Sequence, residues 1–207
     1  MISSALPQEG KSTTSLNTAI VLAQTGARVL LVDADLRRPS MHTVLSMRNS
    51  RGFSTLLASS GDSHEFITPH PEMPNLHVLP AGPPPPHPAE LLSSNLFQRY
   101  LNEWRDEYQH IIIDTPPMLS VTDGVIASVY ADAVILVVRA GKTTKNALRQ
   151  LCNMLAQVNA NIAGVLVNGV DLHSPSSYYY YAYHYVRKTG SYYANEQAET
   201  RERAEGD

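Results

Sequence analysis

Cysteine is almost absent: Cys152 is the only one in 207 residues. A disulfide framework is therefore excluded, and the chain reads as a protein of a reducing compartment. Cys152 falls in helical step with Leu148, Leu151 and Leu155, which reads as a core thiol rather than a nucleophile. No apolar run has the length needed to cross a bilayer, and no secretory leader pattern precedes the first motif. Neither sign of charge is in large excess: 16 Lys and Arg stand against 19 Asp and Glu, a net charge of −3. That balance gives no argument for a nucleic-acid partner. The 8 histidines are scattered without metal-ligand spacing, which leaves them surface and loop roles. Phenylalanine and tryptophan are scarce, at 3 and 1, whereas tyrosine reaches 11.

What is present begins at Ser4-Ala5-Leu6-Pro7-Gln8-Glu9-Gly10-Lys11-Ser12-Thr13-Thr14. A loop that runs into a helix N-terminus presents unpaired backbone N–H groups, and the helix dipole favours an anion there. Gly10 lets the backbone come close to a phosphate, Lys11 reaches the outer phosphates, and the Ser12 hydroxyl suits Mg²⁺. Pro7, Gln8, Glu9, Gly10, Lys11, Ser12 and Thr13 are thus the expected nucleotide-binding loop, although Ala5 stands where the general motif has its first glycine. Residues 1–4 give barely half a strand ahead of it, so the chain reads as cut from something longer or as starting upstream.

Strand and helix signals then alternate. Leu16, Ala19, Ile20 and Ala23 predict a helix over 12–25, stopped by Gly26. Continuous apolar runs at 28–33, 110–114 and 133–138 have the pattern of strands covered on both faces, with further strands at 76–79 and at 162–167, the last of which closes the sheet. Further helices are expected at 96–108, 122–129 and 143–158, with a short one opening at Gly52. Residues 40–70 are hard to read beyond that. Gly82-Pro83-Pro84-Pro85-Pro86-His87-Pro88 reads as a rigid loop over the nucleotide site. The expected fold is α/β: a parallel sheet flanked by helices on both faces, with a domain at 1–172 and a tyrosine-rich tail at 173–207.

Three strand ends carry chemistry: the loop, Asp33 with Asp35, and Asp114. Ligands gather at the carboxyl ends of such strands. Phosphoryl transfer asks for positioned phosphates, a cation against the developing charge, and a group that orients the nucleophile. Lys11 fills the first need. Ser12 and Asp114 fill the second, with Asp33 assisting at the metal. Asp33 is also the expected base, and Asp35 supports the metal shell or orients Arg37. Asn168, at the end of the last strand, is counted with the nucleotide-binding residues.

From residue 1 to about 195 the chain resembles the catalytic domain of bacterial tyrosine autokinases, of the phosphate-loop superfamily's MinD/ParA-like branch. The residues that carry this are the loop at 4–13, Leu31-Val32-Asp33-Ala34-Asp35-Leu36-Arg37 as the A′ motif, and Ile112-Ile113-Asp114-Thr115-Pro116-Pro117 as Walker B. Leu79-Pro80-Ala81-Gly82, Pro88-Ala89-Glu90-Leu91-Leu92 and the tyrosine cluster support it. The resemblance implies ATP/ADP and Mg²⁺ as cofactors and phosphorylation of the chain's own tyrosines. It also implies a link to exopolysaccharide or capsule export. The implied partners are a membrane-spanning chain-length regulator, further copies of the chain and a cognate tyrosine phosphatase, at the cytoplasmic face of the plasma membrane. Two positions depart from the family: Gln8 stands at a usual glycine and His87 at a usual asparagine. A positive φ at Gln8 would cost roughly 1 kcal/mol.

The tail holds Tyr178, Tyr179, Tyr180, Tyr181, Tyr183, Tyr185, Tyr192 and Tyr193. Consecutive tyrosines do not alternate as a half-buried strand does, so they read as phosphoacceptors on a flexible tail. About 20 extended residues would reach roughly 60–70 Å. Two other readings stay open: a partition- or positioning-type ATPase, against which stands the lack of an early lysine at Ala5, Leu6 and Pro7, and a non-catalytic nucleotide-binding subunit.

Overall fold

The few residues ahead of the loop suffice for a strand. Ile2–Ser4 (β1) is buried along its length and lies inside a seven-stranded sheet. The computed structural model describes residues 1–171; the tyrosine cluster lies outside the described residues. After β1 come α1 (Lys11–Gln24), β2 (Val29–Asp33), α2 (Met41–Val44), α3 (Phe53–Ser59), β3 (Thr68–His70) and β4 (Met73–Leu79). Then follow α4 (Pro88–Leu92), α5 (Asn95–Glu107), β5 (His110–Asp114), α6 (Asp123–Ser128), β6 (Val134–Arg139), α7 (Lys145–Gln157) and β7 (Ile162–Asn168). Met1–Asn168 forms one compact unit.

The strand order is β3-β4-β2-β5-β1-β6-β7. Every pairing is parallel except β3 with β4. Alternation along β2 shows why both faces are covered. Leu30 and Val32 pack with Phe53, Phe97, Tyr100 and Trp104 from α3 and α5, whereas Val29 and Leu31 pack with Leu16, Ala19 and Ala23 of α1. Val134 and Leu136 of β6 meet Leu151 and Leu155 of α7 in a third cluster, and half-buried Cys152 sits against it as a core thiol. The Phe53 and Phe97 rings meet edge to face at 5.3 Å, an arrangement that adds to the area they bury.

Two expectations need correction. The sheet is not wholly parallel, because β3 folds back on β4; it is three residues long and contains Pro69, which gives little periodic signal and suits only an edge. The apolar run of β7 stands last in the strand order, as a strand that closes the sheet. Among the described residues it pairs with β6 alone, and Val165, Leu166 and Val167 are exposed. The proline-rich segment does not line the nucleotide cleft. Asn49 donates to Gly82 O at 2.9 Å and accepts from Gly82 N at 2.8 Å, and Ser54 donates to Pro83 O at 2.7 Å. These bonds hold the segment's start against α3.

Register decides where the chemistry lies. Asp33 pairs with Asp114 across β2 and β5, at the same level of the sheet. β1 stops at Ser4 opposite Val137, while β6 runs on to Arg139.

Candidate functional site

The chain turns from β1 into α1 through a loop with two left-handed residues, Gln8 at φ 63° and Gly10 at φ 98°. Gln8 thus holds the strained conformation that a glycine would take without penalty. Gly10 is required twice over, because a Cβ there would fall 1.9 Å from Asn168 Nδ2. Asn168 Nδ2 donates to Glu9 O at 3.0 Å, which places the end of β7 against the loop. The start of α1 leaves the N–H groups of Lys11, Ser12 and Thr13 without intrahelical acceptors.

A cleft of about 750 Å³ opens in front of this loop. Pro7, Gln8, Gly10, Lys11, Ser12 and Thr13 form one wall. Asp35, Arg37, Arg38 and Ser40 form a second, and Pro116, Pro117, Ser120 and Val121 a third. Lys11 Nζ lies 3.0 Å from Asp35 Oδ2, 3.5 Å from Asp114 Oδ2 and 3.0 Å from Ser12 Oγ. Burial works against the ammonium, but Asp114 and Asp35 outweigh it and hold Lys11 above its ordinary value. Asp114 is fully buried, with Oδ1 accepting from Ser15 Oγ at 3.0 Å. Burial raises its pKa, although Lys11, Ser12 and Ser15 pull the other way. Among the described residues its Oδ2 has no hydrogen-bond partner, with Lys11 Nζ 3.5 Å away. A buried oxygen of this kind beside a serine hydroxyl fits a hard, oxygen-liganded cation such as Mg²⁺. Among the described residues no group of three His, Cys, Asp or Glu could hold a metal by itself, so such an ion would rely on phosphate oxygens and water for its other ligands.

Asp33 is placed differently from expectation. It is fully buried and lines no part of the cleft. Its Oδ1 accepts from Asp35 N and its Oδ2 from Met41 N, each at 3.2 Å, so both oxygens brace the segment after β2. Burial, then the charge of Asp114, pushes Asp33 up to about 7. The acid that faces the cleft is Asp35. Nor does Asp35 orient Arg37 by contact. Arg37 donates through Nε and Nη2 to Asp123 at 2.8 and 3.0 Å, and Asp35 Oδ1 accepts instead from Arg38 N at 3.0 Å.

Glu9 belongs to the loop but its side chain turns inward, where it is 3% exposed. Sequence reasoning also missed Ser15, Asp123, Arg139 and Thr143. Only Ser15 left a readable signal, being one helical turn after Lys11 and hence on the same face.

The family described as an AAA domain matches residues 8–167. Tyrosine-protein kinase YwqD of Bacillus subtilis is 41% identical over 181 residues, covering 87% of this chain and 76% of YwqD. Tyrosine-protein kinase ptk of Acinetobacter johnsonii is 39% identical over 170 residues. There the match covers 82% of this chain but only 23% of ptk. Among solved structures, the kinase domain of Escherichia coli tyrosine kinase ETK superposes with a TM-score of 0.81 at 34% identity, over 84% of this chain and 68% of that one.

Proposed function

The chain belongs to the family of bacterial tyrosine-protein kinases, and from that premise we infer that it moves the terminal phosphoryl group of ATP onto the hydroxyls of its own tyrosine cluster. The observation that carries the reading is Lys11 on the floor of a phosphate-loop cleft, bridging Asp35 and Asp114 from two neighbouring strand ends.

The loop amides and the start of α1 bind the phosphates, and Lys11 turns from its carboxylates toward the charge that develops on the transferred group. Ser12 and Asp114 would hold Mg²⁺, which would supply positive charge against the phosphate oxygens. Asp35, facing the cleft, takes the base role that the sequence suggested for Asp33, and accepts the proton of the attacking phenol. Asp33 fixes the backbone N–H of Asp35 and so its position. Pro116, Pro117 and Val121 give the cleft an apolar wall suited to an aromatic ring. The acceptors are Tyr178, Tyr179, Tyr180, Tyr181, Tyr183, Tyr185, Tyr192 and Tyr193. Each phosphate adds about −1.5 to −2 charges, so a modified tail repels its neighbours. The setting is exopolysaccharide or capsule export at the cytoplasmic face of the membrane. The partners there are a membrane-spanning chain-length regulator, further copies of the chain and a tyrosine phosphatase. No helix among the described residues is long and apolar enough to cross a membrane.

The test is a mixture of two chains with γ-labelled ATP and Mg²⁺, followed by phosphoamino-acid analysis. A Lys11→Met chain with its tail should be labelled on tyrosine by an active chain ending at residue 172. Label released only as inorganic phosphate would refute the kinase reading and support an ATPase. Labelling of the full-length parent chain that is first order in protein, without labelling of the Lys11→Met chain, would show transfer within one molecule.

A further inference from the structure

We infer that Glu9 is a positioning residue that holds the nucleotide-binding loop in its anion-ready shape from behind, through Thr143. This rests on the nucleotide-binding reading above. A buried carboxylate in a loop meant for polyphosphate is electrostatically adverse, so its presence asks for a compensating role. Its contacts supply one. Glu9 Oε2 accepts the Leu6 N–H at 2.8 Å, which closes the loop on itself, and Oε1 accepts from the Thr143 hydroxyl. Thr143 Oγ1 in turn accepts the Arg139 N–H at 2.8 Å. The Arg139 guanidinium donates to Gln8 O at 3.2 Å, on the left-handed residue. The end of β6 and the turn before α7 therefore grip the loop at Glu9 and at Gln8. The Glu9 side chain takes no place in the cleft lining, so it has no route to the phosphates or the acceptor. Its action is exerted through the loop backbone.

A carboxylate needed only for shape can be replaced by an amide. In Glu9→Gln the amide oxygen can accept from Leu6 N–H while the amide nitrogen donates to Thr143 Oγ1. Calorimetry with Mg-ADP on the full chain, with urea unfolding alongside, separates the roles. Glu9→Ala should weaken Mg-ADP binding roughly 10- to 100-fold. Glu9→Gln should recover affinity to within about threefold of the parent chain. Thr143→Val should weaken binding in the same direction. The double variant Glu9→Ala/Thr143→Val should be no weaker than the worse single one, because the two act as one unit. In transfer assays the loss should fall on KM for ATP more than on kcat. Glu9→Ala that binds like the parent, or Glu9→Gln as weak as Glu9→Ala, would overturn the inference while the nucleotide site stands. If Glu9→Ala does not fold, Thr143→Val against Thr143→Ser decides, and equal affinity in those two overturns it. A parent chain that binds no Mg-ADP would overturn the site reading and this inference together.

Discussion

Replacing Lys11 by methionine does more than remove a catalytic charge. The Lys11 side chain is 12% exposed, and its ammonium lies between the side chains of Asp35, at 7%, and Asp114, at 0%. Removing one member of a buried pair costs about 3–5 kcal/mol when the other stays ionised. Asp114 has an escape, which is to bind a proton, so the penalty depends on pH. Burial already raises its pKa against the pull of Lys11, and without Lys11 it rises further. A carboxyl raised in the folded state above its unfolded value contributes stability that is full below about pH 4 and is lost as pH climbs through the folded value. The slope is about 1.4 kcal/mol per pH unit for each proton bound only by the folded chain. The Lys11→Met deficit should therefore be smaller at pH 5 than at pH 8, approaching about 3 kcal/mol at the alkaline end. Urea unfolding of parent and variant at unit steps between those values, without nucleotide, measures it. Asp33 lies in the field of both Lys11 and Asp114, so its titration moves with theirs and belongs to the same pH trend. Asp35→Asn added to Lys11→Met should return part of the loss by removing a second uncompensated acid. A deficit that is flat with pH, or none at pH 8, would refute the electrostatic account. It follows that the mixing experiment with this variant belongs at the acid end of the working range.

Gly10→Ala meets both a left-handed φ and the Asn168 side chain. It should cost about 2–3 kcal/mol, of which Asn168→Ala added to it relieves the contact but not the backbone part of about 1–2 kcal/mol. Thermal unfolding of the two variants checks the partition. Arg37→Ala leaves the carboxylate of Asp123, buried in α6, without its bidentate partner. Because Arg37 is 40% exposed, the expected cost is about 2 kcal/mol, below the range for fully buried pairs. Arg37→Lys should recover only part of it, since an ammonium cannot reproduce the fork; denaturant midpoints would tell.

Much of the sheet was legible because apolar runs ending in an acid or asparagine have few other readings. Asp33, Asp35, Asp114 and Asn168 all fall at or just past such ends. What could not be read was direction. Asp33 and Asp35 are two residues apart, yet one carboxylate folds under its own segment and the other faces the cleft. Sequence spacing carries no account of where the chain turns after a strand. The pair Arg37 and Asp123 joins residues 86 apart and has no local signature. β7 shows the same limit: its run of Val165, Leu166 and Val167 matches covered strands in composition, yet these side chains are exposed. The left-handed Gln8 was legible as a cost, because one family position reserved for glycine had been filled by a residue with a side chain.

β1 ends opposite Val137, two rungs short of where β6 ends at Arg139. Those missing rungs leave a step about 7 Å deep in the sheet's edge, and the loop is seated in that step with β6 as its raised side. The lengths of β6 and of the turn to Thr143 therefore act as a gauge for the loop's height. One residue deleted from that turn would displace Thr143 from both the Arg139 N–H and the Glu9 carboxylate, a change larger than any single side-chain swap at the same place. The turn should consequently tolerate substitution far better than a change in its length, although it lies on the surface, where added or lost residues are usually absorbed.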